Sequence, residues 1–220
     1  MFDDTVSCVD APMIARWRCP TPWRAGKEVN GEHPVVCQPP EKPSQCGPGE
    51  HAHPGNEGCV RAGSPCPPGG WHAIEDEGEF VLYVKPGGMG DGMSPDQPLG
   101  DIQTAHNLAI QGSIILVAPG TYTTPLFINK EVTLIGACSE ATKIAPPQSA
   151  KGDAISVISP TTIKNFTISG GRWGVFVKSS GVTTLEGLVI EGVRLGAVSV
   201  FGDGLSTQLV LKDSAVRDIQ

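Results

Sequence analysis

The chain has 220 residues and a formal net charge of −7, with 39% hydrophobic residues. This acidic balance, with no basic excess in the first third or the remainder, excludes a field for nucleic acid or for an anionic membrane surface. The 28 Gly and 20 Pro exclude a mainly helical fold, and no run approaches the roughly 20 apolar residues of a membrane span.

Residues 1–70 hold Cys8, Cys19, Cys37, Cys46, Cys59 and Cys66 among many Pro and Gly, with few large apolar side chains. A segment of this kind builds little core, so it reads as a loop-rich module stapled by disulfides among these six cysteines, in an oxidising compartment. Their spacing does not choose a pairing. Cys138 is left over, either as a buried thiol or as a link that docks the Cys-rich segment onto the rest of the chain. Met1-Phe2-Asp3-Asp4 lacks the basic start and apolar core of a signal peptide. An extracellular or cell-surface location therefore implies a targeting segment outside this sequence. His51 and His53 lie near Cys46 and Cys59, but no C-x2-C pair is present, so zinc is not assigned.

Residues 71–79 read as an acidic linker, centred on Glu75-Asp76-Glu77. Residues 80–84 form a strand, residues 87–98 a Gly-rich loop, and residues 102–110 a short helix with Asp101 as N-cap and an apolar stripe of Ile102, Ala105, Leu108 and Ala109. Asp91, Asp96 and Asp101 offer oxygen ligands for Ca2+. Their spacing of five does not follow a calcium loop, so a turn and a cap are the preferred roles.

From Ile114 onward the pattern is of short strands. Ile163-Lys164-Asn165-Phe166-Thr167-Ile168-Ser169-Gly170 repeats as Leu185-Glu186-Gly187-Leu188-Val189-Ile190-Glu191-Gly192, and more loosely from Leu211 to Asp218, at offsets of 22 and 26 residues. Each copy sets a residue that tolerates positive φ (Asn165, Gly187, Asp213) between two β-type runs, and another (Gly170, Gly192, Asp218) after them. Val175-Phe176-Val177 similarly echoes Val198-Ser199-Val200. Three strands per turn of about 22 residues predict an all-β solenoid, with Ile163, Phe166 and Ile168 stacked on Leu185, Leu188 and Ile190 inside, and Phe176 and Ser199 outside. The helix covers the first coil. The repeat breaks off at Gln220, so the chain is expected to continue beyond it.

From about Val81 the chain resembles the right-handed parallel β-helix, or pectin lyase-like, superfamily. The likeness rests on Ser94-Pro95-Asp96-Gln97-Pro98, Ile102-Gln103-Thr104-Ala105, the run from Ile115 to Tyr122, and Lys130-Glu131-Val132-Thr133-Leu134-Ile135-Gly136. It implies a parallel β-helix over 80–220 with an N-terminal capping helix. The Cys-rich leader before such a coil is similar to Cys-rich surface proteins of myxobacteria. The family includes pectate lyases, polygalacturonases, epimerases and pectin methylesterases, so the resemblance carries fold and not activity. The paired Asp and Gly-His-Gly motifs of polygalacturonases and the epimerase signature are absent.

A glycosidase needs two carboxylates about 5–10 Å apart, whereas Asp153, Glu186, Glu191, Asp203, Asp213 and Asp218 are scattered. No catalytic set and no organic cofactor is assigned. The outward candidates for ligand binding are Arg172 over Arg194, beside Trp173 and near Glu191, a group suited to an anionic sugar. Asn165-Phe166-Thr167 is a formal glycosylation acceptor. The reading is an exported, non-catalytic β-helix that presents a rigid face to polysaccharide or another surface protein. The alternative is a fragment of a polysaccharide lyase or hydrolase whose catalytic coils lie beyond residue 220.

Overall fold

The computed structural model describes residues 19, 21, 23–25, 37–41, 46–52, 57–74, 80–149, 151–202 and 207–219; Cys8, His53, Asp203 and the acidic run at 75–79 lie outside them. The chain divides into two compact units, one from residues 1–45 and 52–59, the other from residues 46–51 and 60–220. In the first, Arg24–Ala25 and Cys37–Gln38 pair antiparallel, and Cys19 is bonded to Cys37.

The second unit is the parallel β-helix. Its largest sheet runs Val81–Val84, Ser113–Val117, Val132–Gly136, Thr161–Lys164, Gly181–Glu186, Thr207–Lys212. A five-stranded sheet runs Gly120–Tyr122, Thr142–Ile144, Thr167–Ser169, Val189–Glu191, Ala215–Arg217. A four-stranded sheet runs Leu126–Ile128, Ile155–Val157, Trp173–Val177, Gly196–Val200. Every pairing among them is parallel, and the expected register is observed: Ile163 beside Leu185, Ile168 beside Ile190, Val175 beside Val198.

Corners make the coil. Asn165, Gly187 and Asp213 have φ of 63°, 64° and 42°, and Gly170, Gly192 and Asp218 have 74°, 59° and 51°. A single left-handed residue turns the chain between two sheets without a loop, so consecutive coils stay in register. Inside lie Leu134, Ile163, Leu185 and the column Tyr122, Ile144, Ile168, Ile190, all buried in one apolar cluster with Phe166 and Leu188.

The helix spans Ile102–Leu108, two residues shorter than expected. Asp101 caps it by accepting the Thr104 N–H at 2.9 Å. Its end is set by Lys130, whose Nζ donates to the carbonyls of His106, Asn107 and Ala109 at 3.2, 2.8 and 2.8 Å. His106, and not Leu108, completes the buried stripe: His106 is 3% exposed and Leu108 52%. The Gly-rich loop is ordered against the first strand. Tyr83 N–H donates to the Gly92 carbonyl and Leu99 N–H to the Tyr83 carbonyl, so the loop occupies an otherwise bare sheet edge.

The leader departs from the sequence reading in three ways. A boundary near Gly70 is not where the units divide, because residues 46–51 and 60–74 belong with the β-helix. The linker placed at 71–79 begins with packed residues: Trp71 and Ile74 join Val81, Tyr83, Ile114, Leu116 and Ile135 in a second apolar cluster on the outside of the largest sheet. The Trp71 and Tyr83 rings meet edge to face at 5.2 Å. This explains the unbroken apolar run Ile114–Val117, since a strand buried on both faces loses its alternation. Finally, Cys66 is bonded to Cys138, so the staples do not stay within the first six cysteines. Cys138 is fully buried on the second coil, where Cys66 is brought to it.

Around that bond Glu50 and residues 61–64, which belong to this same unit, lie over the outer face of the five-stranded sheet. Ser139 Oγ donates to the Ala62 carbonyl at 2.6 Å, and Arg61 pairs with Glu140 at 2.8 Å. Gly63 N–H donates to Asp213 Oδ2 at 2.8 Å, and Ser64 N–H to Asn165 Oδ1 at 3.1 Å. Arg217 reaches the Glu50 carbonyl at 3.0 Å. Thr167, Val189 and Ala215, which point away from the core, are buried as a result.

Candidate functional site

With the outer face of the five-stranded sheet covered and the largest sheet partly covered, the four-stranded sheet offers the clearest open face. Alternation directs Leu126, Ile128, Ile155, Val157, Val175 and Val177 into the core. It leaves Phe127, Ser156, Phe176 and Ser199 aligned outside, one per coil. Phe127 is 47% exposed, Phe176 half-buried. A second column runs along the same strands. Ile158, Lys178 and Phe201 donate their N–H groups to the carbonyls of Ile128, Val157 and Val177, each at 2.8 Å. Ile158 is 41% and Phe201 52% exposed, and Lys178 Nζ stands 5.4 Å from the centre of the Phe201 ring. The face is thus aromatic and aliphatic with interleaved hydroxyls and a cation.

Arg172 stands just before the strand Trp173–Val177. Its Nε donates to Asp153 Oδ1 at 3.2 Å, and Ser156 Oγ lies 3.5 Å from Asp153 Oδ2. Asp153 is buried and Arg172 half-exposed, so the carboxylate orients a guanidinium that still reaches solvent.

The four residues read as ligand-binding do not form one column. Between the last two strands of this sheet the offset is 23, not 22: Trp173 pairs with Gly196, and Leu195 N–H donates to the Arg172 carbonyl. Leu195, not Arg194, therefore lies over Arg172, and Arg194 is exposed one position away. Glu191 pairs with Arg217 at 2.6 Å. The Trp173 ring lies on Gly196, where a Cβ would collide with it. Glu191 instead borders a shallow groove of about 390 Å3 with Pro146, Gln148, Ser169, Gly192 and Asp218.

Other sequence candidates have structural roles. Asp91 accepts the Met93 N–H at 2.9 Å, a turn within the loop, and Asp101 is the helix cap. Glu186 pairs with Lys164 at 3.1 Å. Cys46, Cys59 and Cys66 are all in disulfides, so they are not thiolates for zinc beside His51. Asn165 is buried with its side chain on Ser64, which removes it as a glycan acceptor in this fold. Asp153 was considered only as one of the scattered carboxylates, and Lys178 had no signal in the sequence beyond its neighbours in the coil. Phe176 and Ser199 were legible from alternation.

No family model and no curated protein matches the chain. Among solved structures it is similar to pectin methylesterase PemA from Erwinia chrysanthemi, at 13% identity and a TM-score of 0.45, over 61% of this chain and 54% of that one. The chain thus spans about half the length of that structure.

Proposed function

We propose that this is an extracellular or cell-surface protein whose four-stranded sheet face binds a polysaccharide without cleaving it. The observation that carries the reading is the in-register column Phe127, Ser156, Phe176, Ser199 beside the Lys178–Phe201 pair. Exposed Phe127 and Phe201 with half-buried Phe176 on a rigid sheet suit a contact surface. Rings that take sugar faces and hydroxyls that take sugar hydroxyls recur here at the ~4.8 Å strand spacing. Arg172, oriented by Asp153, adds a site for a carboxylate on an acidic chain. Asp153, a carboxylate beside this face, is engaged in an ion pair with Arg172, which favours binding over hydrolysis. The disulfides support the location, because such bonds persist in oxidising compartments.

Affinity electrophoresis through gels containing neutral or acidic polysaccharides tests this. The protein should be retarded by at least one class. Phe127→Ala should weaken retardation about tenfold, roughly 1.4 kcal/mol, with an unchanged melting temperature. Arg172→Ala should weaken it selectively for an acidic chain. No retardation on any polysaccharide would refute the reading. Release of new reducing or unsaturated ends would replace it with the lyase or hydrolase alternative.

A further inference from the structure

The open face of the four-stranded sheet has a period of two coils. In the column Phe127, Ser156, Phe176, Ser199, ring and hydroxyl alternate, each residue in register with the next. The column two residues further along the strands is Asn129, Ile158, Lys178, Phe201. Asn129 follows Ile128, whose carbonyl accepts the Ile158 N–H, and the Val157 and Val177 carbonyls accept those of Lys178 and Phe201. All four of these side chains are exposed. Here polar and apolar residues alternate too, in the opposite phase. Phe127 stands beside Asn129, Ser156 beside Ile158, Phe176 beside Lys178 and Ser199 beside Phe201.

The two columns are about 7 Å apart and their rungs about 4.8 Å. The apolar side chains therefore zigzag across the face from Phe127 to Ile158, Phe176 and Phe201, and the polar ones zigzag between them. The coil does not need this to fold, because its core is built from the opposite faces of the same strands, and a sheet face meant only for water carries polar residues throughout. The cations follow the same zigzag. Lys178 is the one charged residue of the two columns, on the polar square beside Phe176. On the coil before, Ser156 holds the polar square on the other side, and Arg172 and Ser156 both meet Asp153, at 3.2 and 3.5 Å.

A ligand that fits such a face changes sides at every step and returns after two. A chain of pyranose rings joined by β-1,4 bonds does this. Each ring is turned over relative to the last, so its C5 substituent points to one side and then the other, and two coils, about 10 Å, match the length of one disaccharide. An α-1,4-linked chain coils instead, and its rings fall out of step with the rungs. We infer that the face is built for a β-1,4-linked chain carrying carboxylates at C5, laid along the solenoid axis with one sugar on each coil. This rests on the polysaccharide reading above and adds the linkage and the charge. Ring faces lie on the apolar zigzag. Successive carboxylates meet Arg172 with Ser156 on one side and Lys178 on the other, a match of charge as well as of spacing.

Affinity electrophoresis of the unaltered protein in gels containing β-1,4-linked polyglucuronate or α-1,4-linked polygalacturonate separates linkage from charge, since both polymers carry a carboxylate on every sugar. The β-linked polymer should bind about tenfold more tightly. Equal or tighter binding of the α-linked polymer would overturn this inference and leave polysaccharide binding standing; no retardation by any polysaccharide would refute both. The double variant Ser156→Phe with Phe176→Ser keeps the composition of the face and breaks its alternation. It should lose about tenfold in affinity for polyglucuronate with an unchanged melting temperature. Undiminished affinity in a folded double variant would mean that aromatic area, and not its spacing, holds the chain, which also overturns the inference.

Discussion

Single side chains here act on backbone far away in sequence. Lys130 closes the helix end from across a coil, holding three carbonyls that the helix itself leaves unpaired. Lys130→Met keeps the length of the side chain and removes the donors, so it should destabilise the fold by about 1–2 kcal/mol. The urea midpoint should fall with an unchanged slope. The Asp101 cap was readable because its partner is three residues on. Lys130 was not, because its partners lie more than twenty residues back, and no local pattern marks a lysine that reaches over a coil.

At the scale of elements, the corner column does two jobs. Its positive φ values were legible from the alternation of Asn, Gly and Asp between β-type runs. The second job was not. Asn165 and Asp213 use their side-chain oxygens to hold the backbone of Ser64 and Gly63, and Gly187 lies between them because Gly63 passes directly over it. A Cβ at position 187 would meet the Cα of Gly63 and would also sit at φ 64°. Gly187→Ala should therefore cost more than the ~1 kcal/mol typical of a left-handed residue alone, and limited proteolysis should cut between residues 60 and 70 sooner than in the parent protein. Equal cleavage rates would mean that the leader does not depend on this contact. The coil register read from residues 163–170 held in the neighbouring sheet only with a different offset, which is why Arg172 meets Leu195 and not Arg194. Corners between sheets vary in length independently, so a period measured on one sheet does not transfer to the next.

In the molecule as a whole, the covalent link between Cys66 and Cys138 spans 72 residues. A loop of that size restricts the unfolded chain by about 4 kcal/mol in the chain-entropy account. Replacing both residues by Ser should lower the stability of the β-helix unit by about that amount, measured as a shift in denaturation midpoint against the parent. A loss near zero would assign the anchoring of the leader to the hydrogen bonds and the Arg61–Glu140 pair alone. The sequence displayed the repeat because stacked coils must match one another, rung by rung. It hid the leader's position because a segment without periodicity leaves no trace of what it covers.

The same 72-residue separation has a bearing on biosynthesis. A ribosome delivers residue 66 well before residue 138, so the earlier thiol spends that interval without its native mate while neighbouring cysteines are already present to compete for it. Correct oxidation must wait until the second winding has been made, or be repaired afterwards by thiol exchange. When the protein is produced in an oxidising compartment, the yield of correctly bonded chain should therefore respond to disulfide isomerase supply more strongly than its short leader would suggest.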